Sequence, residues 1–479
     1  MIDDSRNRDE TGFHNQIATT AEYFQKQIAT DTHFRLVTHL DADGITAASI
    51  IAKCLTRQEV IFRIRVVKQL DETVIEHLAK EEPTPIVFTD IGSSSLDLLK
   101  LKLSKADLII LDHHQPEKIT LPSLLHINPH LFGIDGAREI SGAGVAYYLA
   151  EAIDSLNNDL ACLAVIGALG DSQDKNPQRA LIGLNSSIVT QAINNETLTV
   201  ERDLLFYGRE TRPIHKALSY TTNPFLPGLS GEEDKCLGFL INLGIPLKHG
   251  NRWRALNDLN DHEKREIFSE IVKLLSIHNQ SNHSAFTLIG DVYTLVGEER
   301  GTALRDAREY ATLLNACGRM EKSGLGITIA IGNRGDALDE VAVVYTSYKK
   351  KLAEYLEWIH THPTAITEYT NMYLLDGIEQ IDEKLIGPVT SILTSSYIIQ
   401  NKPIIAVASA DENLIKLSGR IPISPLVKNI DLGSIFQEAA LKFNGFGGGH
   451  DVAAGALLPE KDFEEIMGFI NQQLGTFHK

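Results

Sequence analysis

Three short apolar runs, rich in β-branched residues, punctuate the first third of this chain, and each delivers acidic residues. FRLVT precedes HLDADG (His39, Asp41, Asp43, Gly44), PIVFT precedes Asp90, and LIIL precedes Asp112, His113 and His114. Runs of this length and composition read as strands buried on both faces of a parallel sheet. Helix-like stretches lie between them: AASIIAKCL, VIEHLAKEE and SSLDLLKLKL. The alternation predicts a doubly wound, largely parallel α/β domain over residues 1–205. Open α/β sheets carry their chemistry at the carboxyl ends of the strands. A fourth acidic residue, Asp171, closes the apolar helix LACLAVIGALG. Carboxylates crowded at one sheet edge repel one another unless positive charge sits among them. A divalent metal meets that need.

At 479 residues the chain is too long for one core, so two or three domains are expected. A net charge of −18 argues against a general coat for nucleic acid or anionic membrane, while leaving room for a local basic groove. The four cysteines (Cys54, Cys162, Cys236, Cys317) form no CxxC pair, which disfavours a zinc site or a disulfide framework. The beginning of the chain is polar and acidic, and no apolar run approaches the ~20 residues needed to span a bilayer. The expectation is a soluble, cytoplasmic protein without a membrane partner.

Residues 206–365 change character. TTNPFLPGLSG is rich in turn formers, Arg252 and Arg254 flank Trp253, and LRDAREYATLLNACGRM and DEVAVVYTSYKKKLAEYLEWI carry helical periodicity. This reads as a helical linker or insert. Residues 366–479 return to mixed α/β, with MYLLD, PIIAVAS and LIKLSGR as strands and IFQEAALKF as a helix before FNGFGGGHDVAAGA.

The metal-ligating candidates are His39, Asp41, Asp43, Asp90, His113 and Asp171. The DxD pair is read on one tight loop, its carboxylates aimed at neighbouring points, with His39 beside them. Asp90 arrives from another strand, where it can bridge two ions. A mixed oxygen and nitrogen set suits two divalent cations, Mn²⁺ or Mg²⁺. The catalytic candidates are His114, free to donate to a phosphate or a leaving oxygen, and Asp112, which orients a histidine. His33, His126 and His130 read as surface or packing residues, and Ser141 as a helix N-cap. Downstream, Gly447, Gly448 and Gly449 either let backbone N–H groups approach a phosphate, with His450 adding a ring donor, or form a tight turn between strands. Arg319 and Arg420 are natural phosphate forks, although Arg319 can instead pair with Glu321 or Asp306. Arg305, Arg308 and Lys322 either line the same groove or form a solvated face, and Lys416 is a further candidate cation for that groove.

HxDxDG, an isolated Asp, DHH, GD and a distant GGGH together resemble the DHH phosphoesterase superfamily with its C-terminal DHHA1 domain, and most closely RecJ-type single-strand exonucleases. NACGR (Asn315–Arg319) resembles the NAxGR element of those proteins, and LSGR (Leu417–Arg420) a substrate-side strand. TTNPFLPGLSG and REYATLLNACGRM are similar to an archaeal RecJ-like branch that includes a nuclease associated with the GINS replication complex. The resemblance implies a parallel-sheet DHH domain, a helical insert and a smaller mixed α/β DHHA1 domain over residues 366–479. It implies one metal on His39, Asp41 and Asp90, and a second on Asp43, Asp90, His113 and Asp171. His114 would lie beside the scissile phosphate, and Asn315, Arg319, Arg420, Gly447, Gly448, Gly449 and His450 would hold the substrate. Bacterial RecJ proteins tend to carry Asp at the position of His39, which leaves the preferred metal open. The implied activity is exonucleolytic hydrolysis of single-stranded DNA or RNA in replication or repair, with GINS or another replication protein as a partner. The competing readings are a phosphodiesterase for cyclic dinucleotides or short oligonucleotides, and a Cdc45-like replication factor.

Overall fold

The computed structural model describes residues 8–30, 32–121, 124–221, 224–277, 285–395, 401–422 and 430–476. Two compact units are present. One holds Met1–Ala217, Ile245–Phe268 and Phe286–Tyr345; the other holds Leu218–Gly244, Ser269–Ala285 and Thr346–Lys479.

The first unit opens with α1 (Glu10–Ala29), followed by β1 (Phe34–His39), α2 (Ala42–Arg57), β2 (Phe62–Val67), α3 (Glu72–Ala79), β3 (Ile86–Thr89), α4 (Leu96–Leu103), β4 (Leu108–Leu111) and β5 (Leu124–Ile127). The strands form a five-stranded sheet in the order β2-β1-β3-β4-β5, every neighbouring pair parallel. The three runs noted in the sequence become its three central strands, β1, β3 and β4. Alternation along them divides the core. Val37, Phe88 and Ile110 pack with Leu78 and Leu99 of α3 and α4 on one face. Leu36, Val87 and Ile109 pack on the other with α1, α2, α5 (Gly142–Ile153) and α6 (Ala161–Gly170). Both faces are covered, so these strands are largely apolar and buried on both sides rather than alternating.

After α6 the chain adds β6 (Leu198–Leu204), a short hairpin of β7 (Lys248–His249) with β8 (Arg252–Trp253), and β9 (Ile289–Leu295), which pairs antiparallel with β6. Residues 206–365 are otherwise mainly helical and include the helices Ala307–Arg319 and Asp336–Thr361. Their apolar spacing made both helices legible, whereas β6 and β9 come from distant parts of the chain, Leu198 pairing with Leu295 and Leu204 with Ile289, and carry no local signature.

The second unit contains β10 (Ile366–Glu368), β11 (Tyr373–Asp376), β12 (Ile404–Ser409), β13 (Leu414–Arg420), β14 (Phe446–His450) and β15 (Ala453–Pro459). They form a mixed six-stranded sheet, ordered β10-β11-β12-β13-β15-β14, in which only β11 and β12 run parallel. Leu374, Ile405, Leu417 and Ala456 face the helices Leu432–Lys442 and Phe463–Thr476. Leu375, Ile404 and Ala406 face the helix Ile386–Ser395. Among the described residues, no helix is long and apolar enough to cross a membrane.

Candidate metal centre

The carboxyl ends of β1, β3 and β4 bring His39, Asp90 and the DHH residues together, and the start of α2 and the end of α6 add Asp41, Asp43 and Asp171. The DxD pair does not lie on a loop as expected. Asp41 is the N-cap of α2, its Oδ1 accepting from Gly44 N at 3.0 Å, and Asp43 lies in the first helical turn. That turn leans on β1 so closely that a Cβ at Gly44 would lie 2.4 Å from the His39 carbonyl oxygen. Ser141 caps α5, as expected, accepting from Gly144 N.

The helix that Ser141 caps has a second task, which no local sequence pattern shows. The fully buried Asp43 carboxylate sits on its N-terminus, Oδ2 accepting from Gly142 N at 2.6 Å and Oδ1 from Ala143 N at 3.0 Å. The helix dipole and these two N–H groups favour the ionised form and fix the carboxylate in place. Two glycines make room. A Cβ at Gly142 would lie 2.8 Å from Asp90 Cβ, and one at Gly167, inside α6, would lie 2.3 Å from Asp43 Oδ1. Asp90 itself has φ of 57°, a left-handed conformation that is costly for a residue other than glycine and is frequent at functional sites.

The two histidines of DHH are held differently. His113 Nδ1 donates to the Gly136 carbonyl at 2.7 Å, which turns Nε2 toward the carboxylates. Nε2 lies 3.1 Å from Asp171 Oδ2, 3.2 Å from Asp90 Oδ1 and 3.6 Å from Asp43 Oδ2. His114 is turned toward solvent, with its Nδ1 donating to Asp112 Oδ1 at 2.8 Å. Asp112 also accepts from the backbone N–H groups of His113, His114 and Ser93. Asp112 therefore orients His114. Asn128 braces the arrangement, donating to the Ser93 hydroxyl and the His114 carbonyl, and His126 bonds that same hydroxyl. His126, read from sequence as a surface or packing residue, belongs to this polar network.

The electrostatics call for a cation. Both carboxylate oxygens of Asp90, His113 Nε2 and His39 Nδ1 are buried without a well-formed hydrogen bond, although they lie within ion-pair distance of one another. His39 Nδ1 is 2.9 Å from Asp41 Oδ2 and 3.6 Å from Asp90 Oδ2. Burial, and then the charges of Asp90 and Asp171, push the Asp43 carboxyl well above the usual range. Against the pull of burial, Asp171 and Asp90 hold the His113 imidazole well above its ordinary range. Buried polar atoms are normally hydrogen-bonded, and buried charges are paired or bind metal. Three groups offer donors for a divalent cation: His39, Asp41 and Asp90; Asp43, His113 and Asp171; and Asp90, Asp112, His113 and His114. Within each, one atom per residue lies within 4.8 Å of the others.

Asn315 and Gly318 meet the HLDADG segment from the helix Ala307–Arg319, and the half-buried Arg319 ends that helix. Arg305 and Arg308 do not line a groove. Arg305 Nη1 donates to the carbonyls of Leu295, Val296 and Glu298, and Arg308 pairs with the buried Asp174 at 2.6 Å. In the second unit, Lys416, Ser418 and Arg420 share one face of β13, and Arg420 donates to Ser391 Oγ, Ser418 Oγ and the Gly419 carbonyl. The glycine run is an edge strand rather than a tight turn. Gly447 packs under the helix Leu432–Lys442, where a Cβ would lie 2.6 Å from the Phe436 carbonyl oxygen, and Gly449 has φ of 143°. Gly448 alone has open space beside it, level with Gly455 and Ser418 on the neighbouring strands. The side chain of His450 lies outside the described residues.

Comparison with known proteins now bears on this geometry. Residues 33–168 match the N-terminal domain of the DHH family, residues 206–289 a DHH-CID domain and residues 376–476 a DHHA1 domain. The uncharacterized protein MJ0831 of Methanocaldococcus jannaschii is 31% identical over 451 residues, covering 92% of this chain and 93% of that protein. The chain belongs to the DHH family. Its fold is shared with RecJ of Thermus thermophilus solved with Mn²⁺ (TM-score 0.59, 16% identity, 96% of this chain) and with CDC45 of Entamoeba histolytica (TM-score 0.63, 14% identity, 96% of this chain and 99% of that one). This DHH-family chain spans 55% of the Thermus RecJ chain. It has the fold of RecJ and the DHH phosphoesterases, and it carries an acidic cluster with the donors for divalent cations.

Proposed function

We propose that this DHH protein is a metal-dependent exonuclease that removes nucleotides from an end of single-stranded DNA or RNA. The observation that carries this reading is the convergence of Asp41, Asp43, Asp90 and Asp171 on His39 and His113, with four buried polar atoms left without hydrogen bonds at its centre. In the proposal, residues 1–205 are the catalytic domain, 206–365 the insert and 366–479 the substrate-binding domain. His39, Asp41 and Asp90 would hold one cation; Asp43, Asp90, His113 and Asp171 would hold a second, Mn²⁺ or Mg²⁺. When bound, such ions activate water and offset charge on the phosphoryl group. The protein's own groups do the rest. The N-terminus of α5 and the Gly136 carbonyl fix Asp43 and His113, and Asp112 aims His114 as a donor to the phosphate or the leaving oxygen. Arg319 and Arg420 would each contact a phosphate of the strand, and phosphate contacts are tolerant of sequence.

The likeness to CDC45 favours a second role, binding to GINS or another replication protein, and a full donor set is compatible with both roles. A filled donor set speaks against a scaffold alone.

The test is digestion of end-labelled single-stranded DNA and RNA, each blocked at one end, with Mn²⁺ or Mg²⁺. Stepwise shortening from one end is expected, abolished in Asp171→Ala with fold and strand binding retained. Full activity of Asp171→Ala in saturating metal would overturn the ligand assignment. Cleavage confined to cyclic dinucleotides or di- and trinucleotides would replace the exonuclease with a small-substrate phosphodiesterase.

A further inference from the structure

Two residues of the NACGR element, which its resemblance implies to contact substrate, touch the HLDADG segment. Asn315, Gly318 and Arg319 are spaced i, i+3 and i+4, so they share one face of the helix Ala307–Arg319. Asn315 Oδ1 accepts from Ala42 N at 3.0 Å. Ala42 is the first residue of α2, a position whose N–H has no partner within its own helix. It is also the residue between Asp41 and Asp43. Gly318 presses on the other side of Asp41, where a Cβ would lie 1.8 Å from the Leu40 carbonyl oxygen. The peptide groups flanking Asp41 are thus fixed from a helix more than 270 residues away in sequence. Asp41 needs that support. Its Oδ1 is committed to Gly44 N, and its Oδ2 must stay within reach of His39.

We infer that Asn315 is a positioning residue for Asp41 and Asp43, and that the NACGR element sets the affinity of the site for divalent cations rather than touching the strand through Asn315. The inference rests on the proposed reading that these carboxylates hold metal. Partners that orient metal ligands from behind typically change affinity by about 10- to 100-fold when removed.

The experiment titrates Mn²⁺ into the full chain without nucleic acid, by calorimetry, for wild type, Asn315→Ala and Asn315→Asp. Strand affinity is measured separately in a chelator, and kcat and KM as functions of Mn²⁺. Asn315→Ala should weaken Mn²⁺ binding about tenfold or more, lower kcat at limiting Mn²⁺ and leave strand affinity and KM unchanged. Asn315→Asp keeps an oxygen acceptor for Ala42 N–H and should restore Mn²⁺ binding. If Asn315→Ala does not fold, Asn315→Ser carries the same test, since its hydroxyl falls short of Ala42. Unchanged Mn²⁺ affinity together with weakened strand binding would overturn the inference and return Asn315 to the substrate. Because the titration needs no substrate, a wild type that binds Mn²⁺ but cleaves no strand overturns only the nuclease reading. A wild type that binds no Mn²⁺ overturns the inference along with the metal site.

Discussion

At the scale of single residues, the site depends on side chains that are missing as much as on those present. Gly167 lies inside α6, where glycine is unfavourable relative to alanine by roughly 1 kcal/mol. The reason for it is steric: a Cβ there would lie 2.3 Å from Asp43 Oδ1 and 2.5 Å from Ala143 Cβ. Gly167→Ala should therefore gain helix propensity and still lose stability, by about 1–3 kcal/mol as overpacking does. It should also displace Asp43 from the N–H groups of Gly142 and Ala143, and so weaken Mn²⁺ binding. Thermal melts and a Mn²⁺ titration read the two effects separately. A more stable variant with unchanged Mn²⁺ affinity would show that α6 and Asp43 are not in contact as described. The same reasoning explains what was hidden in the sequence. The ligand candidates announce themselves because acidic and imidazole groups at strand ends are conspicuous, whereas a glycine inside LACLAVIGALG looks like any other small residue in an apolar helix.

At the scale of elements, β14 turns its consecutive glycines to different surroundings. Gly447 faces the helix Leu432–Lys442, and Gly448 faces open space. Gly447→Ala should cost about 1–3 kcal/mol by overpacking, while Gly448→Ala should change stability by no more than about 0.5 kcal/mol and weaken strand binding. Equal losses of stability in both variants, by denaturant titration, would contradict the register of β14 on β15. Strand period made β13 legible in LIKLSGR, but the side to which each glycine turns depends on pairing with β15, which no local pattern reveals. The helix Ala307–Arg319 supplies a pH-dependent element. Burial, and then the charge of Asp306, push the Glu309 carboxyl up to about 7 from 4.5, although it accepts from Glu210 N and the Thr211 hydroxyl. A raised folded-state value means that the folded chain binds the proton more tightly than the unfolded one. The resulting stability is fully present below about pH 4.5 and is lost as pH rises through about 7, a change on the order of 3 kcal/mol. Glu309→Gln removes the titration, so the stability of the variant relative to wild type should rise across that window. A pH-independent difference between the two would show that Glu309 ionises as it does in water.

At the scale of the whole molecule, charge restricts how nucleic acid can be held. With 45 Lys and Arg against 63 Asp and Glu, the chain cannot attract a polyanion through its general surface. Several cations are already committed to the fold: Arg305 to backbone carbonyls, Arg308 to Asp174, Arg209 to Asp203 and Arg254 to Glu263. Sequence composition counts such residues as available; only tertiary pairing shows that they are not. Arg420 is bonded too, to Ser391, Ser418 and the Gly419 carbonyl, so location alone singles out Arg319 and Arg420. Arg319 ends the helix that grips HLDADG, and Arg420 shares a strand face with Lys416, with β15 between them and the open glycine at position 448. Replacing either arginine with alanine should weaken binding of a single strand by about 1.5–3 kcal/mol, the worth of a charge-assisted phosphate contact. The loss should be the same for every sequence, because phosphates carry no base identity. It should also reduce the dependence of affinity on salt by about one phosphate contact. The measurement is Kd for a labelled single strand at several salt concentrations, for wild type and each variant. If affinity and slope are unchanged in both variants, the strand is not held by its phosphates at these arginines. In that case a substrate of one or two nucleotides, recognised at the metal centre itself, accounts better for a chain so acidic.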